Sequence, residues 1–233
     1  MKYIYKRKLW LLTVINVAVF TVLSSKDSRT EDLFKGIKVG ASIGMHQGHH
    51  TIETDTNIGG SLKDRVTLSG HTPFYGMQFE VLRPVAPDIQ AGISIGYGYG
   101  ARSVQSRLSS TLPDAWFQQY LRQKIETAFI IGSPFGALLP YIKIGAVWGQ
   151  FQMKTFNGTG HNNKKKFVPG FLAGVGLDFA TNSQWFWGGT VQYERYKKMK
   201  GAYIRTDGGP SFSGWTVKPS LLSATINVKR RLG

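Results

Sequence analysis

Three glutamates of this 233-residue chain, Glu80, Glu126 and Glu194, lie in segments where apolar and polar residues alternate. A carboxylate in a partly apolar setting can serve as a general acid or base, because burial and neighbouring charges change its proton affinity. Lysines and arginines occupy equivalent positions in the same segments, so the glutamates can also form buried ion pairs. We expect ion pairing, keep catalysis as the alternative, and assign no catalytic residue.

Four histidines, His46, His49, His50 and His71, lie in or beside one long polar segment together with Glu53 and Asp55. Imidazoles at this density can bind zinc or copper. The segment lacks a second fixed pair of ligands, so we interpret these residues as solvated loop histidines. We assign no metal and no cofactor.

These residues belong to stretches of about ten residues with a period of two. The clearest runs from Ile89 to Tyr99, with Ile, Ala and Tyr on one face and Gln, Gly and Ser on the other. A period of two indicates strands. Glycine weakens a strand interior, so its repeated use needs a reason. An antiparallel barrel with a lipid-facing exterior and a narrow polar lumen supplies one, because small inward residues fit the lumen.

The alternation predicts an all-β, eight-stranded, antiparallel up-and-down transmembrane barrel. Its strands are Gly36 to His46, Phe74 to Arg83, Ile89 to Ala101, Gln118 to Gly132, Tyr141 to Met153, Phe167 to Ala180, Trp185 to Lys197 and Trp215 to Lys229. Short connections alternate with long ones, which are Gln47 to Pro73, Arg102 to Phe117, Lys154 to Lys166 and Lys198 to Gly214. Outer-membrane barrels have short periplasmic turns and long extracellular loops in this order.

The amino terminus has the pattern of a secretory signal peptide. Four basic residues precede an apolar run from Leu9 to Leu23, and small residues follow at Ser24 and Ser25. We expect residues 1–24 to be a signal peptide and residues 25–233 to be one barrel domain. The leader contains four basic residues and no acid, so its removal lowers the formal charge from +16 to +12. An anchoring helix is the alternative, although the run is shorter than a span needs.

Aromatic residues mark the two ends of the predicted strands. We expect an aromatic girdle of amphipathic rings at headgroup level, made of Tyr97, Tyr99, Trp148, Trp185, Trp187, Tyr193 and Trp215. The alternative is a soluble lipocalin-like barrel or a two-sheet sandwich. In those folds the apolar face would turn inward.

Three segments carry a resemblance to a known family: Pro140 to Gly149, Gly170 to Phe179 and Gly188 to Tyr196. They resemble the glycine-rich fifth and sixth strands and the acidic-tyrosine seventh strand of small eight-stranded outer-membrane barrels of the opacity-protein type, which is also the type of the outer-membrane protein A transmembrane domain. The resemblance implies the outer membrane of a Gram-negative cell and insertion by the barrel-assembly machinery. This chain departs from the family pattern at Val228 to Gly233, where an aromatic residue usually ends the last strand.

By alternation, eight charged residues point into the lumen, four of each sign. They are Lys38, Glu80, Arg122, Lys124, Glu126, Lys143, Asp178 and Glu194. We expect a cross-lumen ion-pair network that plugs the barrel, because eight strands enclose little more than their own side chains. The alternatives are a small-solute channel and an outer-membrane lipid-modifying enzyme.

Basic residues also concentrate in the third and fourth long loops. They are Lys154, Lys164, Lys165, Lys166, Lys197, Lys198, Lys200 and Arg205. A cationic rim matches phosphates of lipopolysaccharide, or anionic host glycans and surface proteins. We therefore expect a porin-like or opacity-like surface protein that serves envelope integrity and surface interaction, including adhesion. Export and a lipid-facing barrel exclude nucleic acid as the partner.

Overall fold

The computed structural model describes residues 33–56, 62–100, 103–107, 115–157, 161–202 and 214–232. They form ten strands: β1 (Gly36–Thr56), β2 (Leu62–Ala86), β3 (Ile89–Gly100), β4 (Ser103–Arg107), β5 (Ala115–Gly132), β6 (Leu138–Asn157), β7 (His161–Ala180), β8 (Trp185–Tyr196), β9 (Met199–Ala202) and β10 (Gly214–Leu232). Within these ranges, no helix is long and apolar enough to cross a membrane.

The strands close into an antiparallel barrel. Each long strand pairs with the next in sequence, and β1 pairs with β10 to complete the ring. The short β4 pairs with β5 above the end of β3, and β9 pairs with β10 above the end of β8. Both therefore continue an interrupted strand, which confirms the predicted eight-stranded up-and-down barrel.

The strands continue well beyond the ends that alternation indicated. β1 and β2 remain paired as far as Thr56 and Leu62, although the sequence predicted a loop from Gln47 to Pro73. β6 and β7 likewise remain paired from Phe151–Lys166 to Phe156–His161, across the predicted third loop. These two loop predictions were wrong because ladder hydrogen bonds persist in polar sequence, where no oily face marks the strand.

The short connections lie together at the opposite end of the barrel. Only Pro87 and Asp88 separate β2 from β3. Between β7 and β8, the Asn182 side-chain oxygen accepts hydrogen bonds from the backbone N–H groups of Gln184 and Trp185, each at 2.8 Å. Such an Asx turn fixes the chain reversal locally.

The outer face of the barrel is apolar. Ile43, Met77, Ile144 and Ile226 are each 62–67% exposed, although they sit in regular strands. This arrangement is the reverse of the soluble barrel or sandwich, in which these side chains would form the core. The exposed apolar band instead matches a surface that contacts lipid.

Glycines on the inner face leave room for large neighbours. A Cβ atom on Gly98 would lie 1.9 Å from the ring of Phe74, and one on Gly176 would lie 2.3 Å from the ring of Tyr141. Each ring therefore lies directly against bare backbone on the adjacent strand. This close approach explains why the inner face of these strands uses glycine.

Candidate functional site

The lumen contains two layers of ion pairs. The layer nearer the short turns joins four strands: Lys38 on β1, Glu80 on β2, Asp178 on β7 and Lys229 on β10. Glu80 contacts Lys38 at 3.3 Å and Lys229 at 2.8 Å, and Lys229 contacts Asp178 at 2.6 Å. All four side chains are buried and their formal charges cancel.

The second layer contains Lys124, Glu126, Lys143 and Glu194. Glu126 contacts Lys143 at 2.5 Å and Lys124 at 3.1 Å, and Lys124 also pairs with Glu194. The amide of Gln192 donates to Glu126 at 3.0 Å and to Glu194 at 2.8 Å. This layer is also neutral, so the buried charges are compensated within a few ångströms, as a low-dielectric interior requires.

Further donors complete the environment of Glu194. The Tyr196 hydroxyl donates to its second oxygen at 2.6 Å, and the Ser223 hydroxyl donates to the first at 3.3 Å. His46 Nδ1 lies 2.5 Å from the Ser223 oxygen. In a nucleophilic triad the imidazole stands between hydroxyl and carboxylate, whereas here the hydroxyl stands between them. The three groups are also fully enclosed, so the arrangement supports packing and not attack on a substrate.

Apolar side chains pack in the lumen on both sides of the charged layers. The upper cluster, towards the long connections, comprises Leu121, Ala128, Val147, Phe151, Met153, Val168, Leu172, Tyr196, Met199, Val217 and Leu221. The lower cluster, towards the short turns, comprises Phe34, Leu82, Ile130, Leu139, Tyr141, Ala180 and Phe186, with Leu33 packed against it. A cavity of about 20 Å³ beside Glu126 and Lys143 lies between them, which is room for a single water.

The lower cluster includes a piece of chain that precedes the barrel. Phe34, just before β1, is fully buried and its ring centroid lies 5.7 Å from that of Phe186. The Lys38 ammonium lies over the same two rings, at 5.4 and 4.5 Å. Arg231 donates to the carbonyl of Leu33 at 3.3 Å, which holds this segment in the mouth of the barrel.

The structure places seven of the eight predicted lumen residues inside the barrel, and Arg122 is the exception. Arg122 is exposed and lies in a β-bulge, where the pairing with β6 shifts between Leu121 and Gln123. A bulge inserts one residue and reverses the alternation beyond it. Counting back from Lys124 without the bulge put Arg122 on the wrong face.

Lys229 provides the fourth lumen cation that Arg122 does not. It is buried near the end of β10, two residues beyond inward Asn227 and four beyond inward Thr225. The same alternation that identified the other lumen charges would have identified Lys229, since it lies inside the predicted last strand. Lys229 was absent from the predicted lumen set because it stood there only as the end of the last strand.

The four histidines lie on strands and not in a loop. His46 and His50 point into the lumen and are buried, whereas His49 and His71 are exposed on the outside. They therefore do not converge. Among the residues that the structure describes, no group of three or more histidine, aspartate or glutamate side chains is placed to hold a metal ion.

The predicted aromatic girdle faces outward. Tyr97, Tyr99, Trp148 and Tyr193 are exposed towards the long connections, and Trp185 and Trp187 towards the short turns. Arg230 lies over the ring of Trp185 at 5.6 Å. Trp215 belongs to β10, but its side chain lies outside the described residues.

The predicted basic loop residues lie mostly on strands or beside them. Lys165 and Lys166 are exposed on β7, Lys197 and Lys198 are exposed between β8 and β9, and Lys200 is exposed on β9. Lys154, on β6, is half-buried with its ammonium 5.4 Å from the ring centroid of Tyr120. Lys164 is on β7, with its side chain outside the described residues, and Arg205 also lies outside them.

Towards the long connections, Arg195 and Lys218 are outward basic residues that were absent from the predicted basic and lumen sets. Arg195 is exposed on β8 between the inward side chains of Glu194 and Tyr196. Lys218, on β10, pairs with Glu53 of β1 at 2.7 Å. Both lie within predicted strands, so alternation alone would have identified their outward direction.

The fold is similar to those of solved outer-membrane barrels. The outer membrane protease OmpT from Escherichia coli aligns over 90% of this chain and 99% of its own, with 8% identity and a TM-score of 0.56. The outer membrane protein OprG from Pseudomonas aeruginosa aligns over 85% of this chain and 98% of its own, with 14% identity and the same TM-score of 0.56.

No family model matches the chain. No curated protein matches it in sequence either. At 8–14% identity, the two structural likenesses establish the fold and leave the activity open. The chain thus has the architecture of an outer-membrane barrel, and its own residues carry the functional argument.

Proposed function

We propose that this protein is a non-conducting outer-membrane barrel of the opacity-protein type, which supports envelope integrity and makes surface contacts through its basic extracellular end. The filled lumen is the observation that carries this proposal. Two neutral ion-pair layers fill the middle of the barrel, and an apolar cluster lies on each side of them. A hydrated ion or solute would have to displace both ion-pair layers and both apolar clusters.

The outer surface supports the membrane location. Exposed isoleucines and an aromatic residue set at each end give the barrel the band that an outer-membrane protein presents to lipid. OmpT and OprG, whose folds it shares, are outer-membrane proteins by name. The signal peptide predicted in residues 1–24 supplies the export step and remains a prediction.

The end of the last strand bears on insertion by the barrel-assembly machinery. β10 extends to Leu232, three residues beyond the predicted end at Lys229. Leu232 pairs with Ile37 and is 50% exposed on the apolar face. We propose that this exposed leucine takes the place on the last strand that an aromatic residue takes in the barrels that the sequence resembles.

The first experiment tests the membrane barrel itself. Protein extracted from outer membranes is run in SDS gels unheated and boiled, with far-UV circular dichroism of the same detergent sample. We expect a mobility shift on boiling and a strand signal that boiling abolishes. Recovery of soluble periplasmic protein without a heat shift would refute the membrane assignment.

The second experiment tests closure of the lumen. Reconstituted wild-type protein in planar bilayers is expected to show no steady openings. The quadruple variant Phe34→Ala, Lys38→Ala, Lys143→Ala, Phe151→Ala removes bulk from both apolar clusters and both charged layers, and is expected to conduct. Arg122→Ala is the matched control, because this side chain lies outside the lumen. Steady openings of the wild type would favour the small-solute channel.

The lumen glutamates have a structural role in this proposal. Glu80, Glu126 and Glu194 each contact at least one lysine inside the closed barrel. OmpT is a protease by name, and its likeness extends to the fold only. Glu126→Gln and Glu194→Gln should therefore leave unchanged the lipid A of the bacterium that produces the variant. An altered lipid A profile with a folded barrel would instead support a lipid-modifying enzyme.

A further inference from the structure

The outer wall changes from aromatic or apolar to cationic along three strands of one half of the barrel. On β8, exposed Tyr193 is followed two positions further out by exposed Arg195. On β7, exposed Phe167 is followed by exposed Lys165 at the same spacing. Two positions along a strand span about 7 Å. On β5, Arg122 occupies the bulge just beyond exposed Ile125. The cations therefore lie immediately outside the apolar band.

Along β1 and β2, the described outward residues show no such change. On β1 the exposed residues beyond Met45 are Gln47 and His49. On β2 those beyond Tyr75 are Pro73 and His71. The described outward residues at this level of β1 and β2 include no lysine or arginine. At this level the described cations are therefore absent from β1 and β2, whereas general neutralisation of the surroundings would distribute charge around the whole ring.

The bulge in β5 contributes directly to this wall. In a regular strand that kept Lys124 inward, Arg122 would also point into the lumen, where both charged layers are already neutral. With the bulge, its guanidinium joins the outer face on the side of Lys154 and Lys165. Bulges commonly re-aim a single side chain in this way.

The wall cations have no internal acidic partners among the described residues. Beyond the aromatic girdle, the outward carboxylate that the structure describes is Glu53, and it pairs with Lys218 on the far edge of the wall. Arg122, Lys165 and Arg195 form no ion pair with a described carboxylate. Their positive charge is therefore available to an external anion.

We propose that Arg122, Lys165 and Arg195 form a binding site for the phosphate groups of a phosphorylated lipid in the outer leaflet, of the lipid A type. This inference rests on the proposed membrane location. The side chains project sideways from the barrel wall, next to lipid-facing rings, where a lipid phosphate would lie. Arginine suits phosphate because its planar group can donate two parallel hydrogen bonds.

The test compares two triple variants in detergent-solubilised full-length protein. The wall variant is Arg122→Gln, Lys165→Gln, Arg195→Gln. The control variant, Lys35→Gln, Arg83→Gln, Arg230→Gln, removes the same charge from exposed residues at the short-turn end. Binding of bisphosphorylated lipid A and of enzymatically dephosphorylated lipid A is measured by native mass spectrometry, after a heat-shift gel has shown that each variant is folded.

We expect the wall variant to bind bisphosphorylated lipid A about tenfold or more weaker than wild type, since each cation near the phosphates contributes to affinity. The control variant should bind as wild type, and dephosphorylated lipid A should not distinguish the three proteins. Unchanged binding by the wall variant, or an equal loss in the control, would overturn the site.

A soluble sulfated oligosaccharide separates lipid binding from glycan binding. If the wall variant loses affinity for this oligosaccharide but keeps its affinity for lipid A, the wall recognises glycans and the proposal is wrong. A wild-type barrel that conducts steadily while the lipid results hold would refute the closed lumen and leave the lipid site standing. The two proposals can therefore fail separately.

Discussion

Lys229 and Glu80, which lie 149 positions apart in the sequence, form a 2.8 Å ion pair inside the barrel. The pair crosses over β1 and joins the last strand to the second. Lys229 also contacts Asp178 on β7, so one ammonium links carboxylates that reach it from both sides. Lys229 therefore holds the barrel closed at the same place where β1 and β10 complete the ring.

Replacing Lys229 with methionine should destabilise the barrel strongly. Glu80 would keep only Lys38, and Asp178 would lose its described cation, leaving a buried uncompensated charge. Breaking a buried pair in this way costs about 3–5 kcal/mol. The free energy of unfolding, measured by urea titration in detergent with the heat-shift gel as readout, should fall by this amount.

The double variant Lys229→Met, Asp178→Asn should recover much of that loss, because it restores neutrality to the layer. Arg230→Met is the control, since Arg230 is exposed on the outer face. Equal effects of Lys229→Met and Arg230→Met would show that the lumen pair has no special role. A double variant no more stable than Lys229→Met would rule out charge imbalance as the cause.

Gly98→Ala and Gly176→Ala should each destabilise the barrel by about 1–3 kcal/mol, because overpacking forces neighbours out of place. The added methyl groups would meet the rings of Phe74 and Tyr141. Gly189→Ala is the matched control, since the nearest atom to its Cβ is 3.7 Å away. Urea unfolding in detergent measures all three.

A second substitution tests the proposed cause of the glycine effect. Phe74→Leu should partly rescue Gly98→Ala by vacating the space that the new methyl group needs. If Gly189→Ala proved as harmful as Gly98→Ala, the loss would reflect a general property of glycine in these strands and not the aromatic contact.

A cysteine at position 122 should react with a bulky, membrane-impermeant maleimide on intact cells. The natural chain contains no cysteine, so a single introduced thiol reports on its own position. Leu121→Cys should stay unreactive, because Leu121 is buried in the upper lumen cluster. Labelling at 121 but not at 122 would mean that the strand runs without the bulge.

Phe34→Ala should open the short-turn end of the lumen to small reagents. In an otherwise wild-type chain, Lys38→Cys should resist a small charged thiol reagent, because Phe34 and Phe186 cover this position. Combined with Phe34→Ala, the same cysteine should react. Lys35→Cys, which is exposed, should react in both backgrounds. Protection of Lys38→Cys without Phe34 would show that another element closes the mouth.

The lumen shows which residue positions strand alternation predicts and which it does not. It placed Lys38, Glu80 and Asp178 on the inner face because each lies in a regular strand with an oily outer face. It failed at Arg122, since a bulge leaves no pattern in a single sequence. It also could not indicate which lysine meets which glutamate, because the partners come from strands that only barrel closure brings together.

The basic surface shows a second feature that the sequence pattern predicted only in part. The sequence identified Lys165 and Lys198 as part of a cationic end, and the structure describes both as exposed. It did not indicate that β7 continues through Lys165, because strand pairing in polar sequence depends on the neighbouring strand and not on local hydrophobicity.

The sequence by itself determined the strand number, the antiparallel order, the oily exterior and a lumen rich in balanced charge, because these follow from a period of two along the chain. Only the tertiary structure decided the ion-pair partners, the bulge at Arg122, the packing of Phe34 in the mouth of the barrel and the outward cations on β5, β7 and β8. Those features depend on register, closure and shear between strands, which bring distant residues together and which the pattern within one strand does not show.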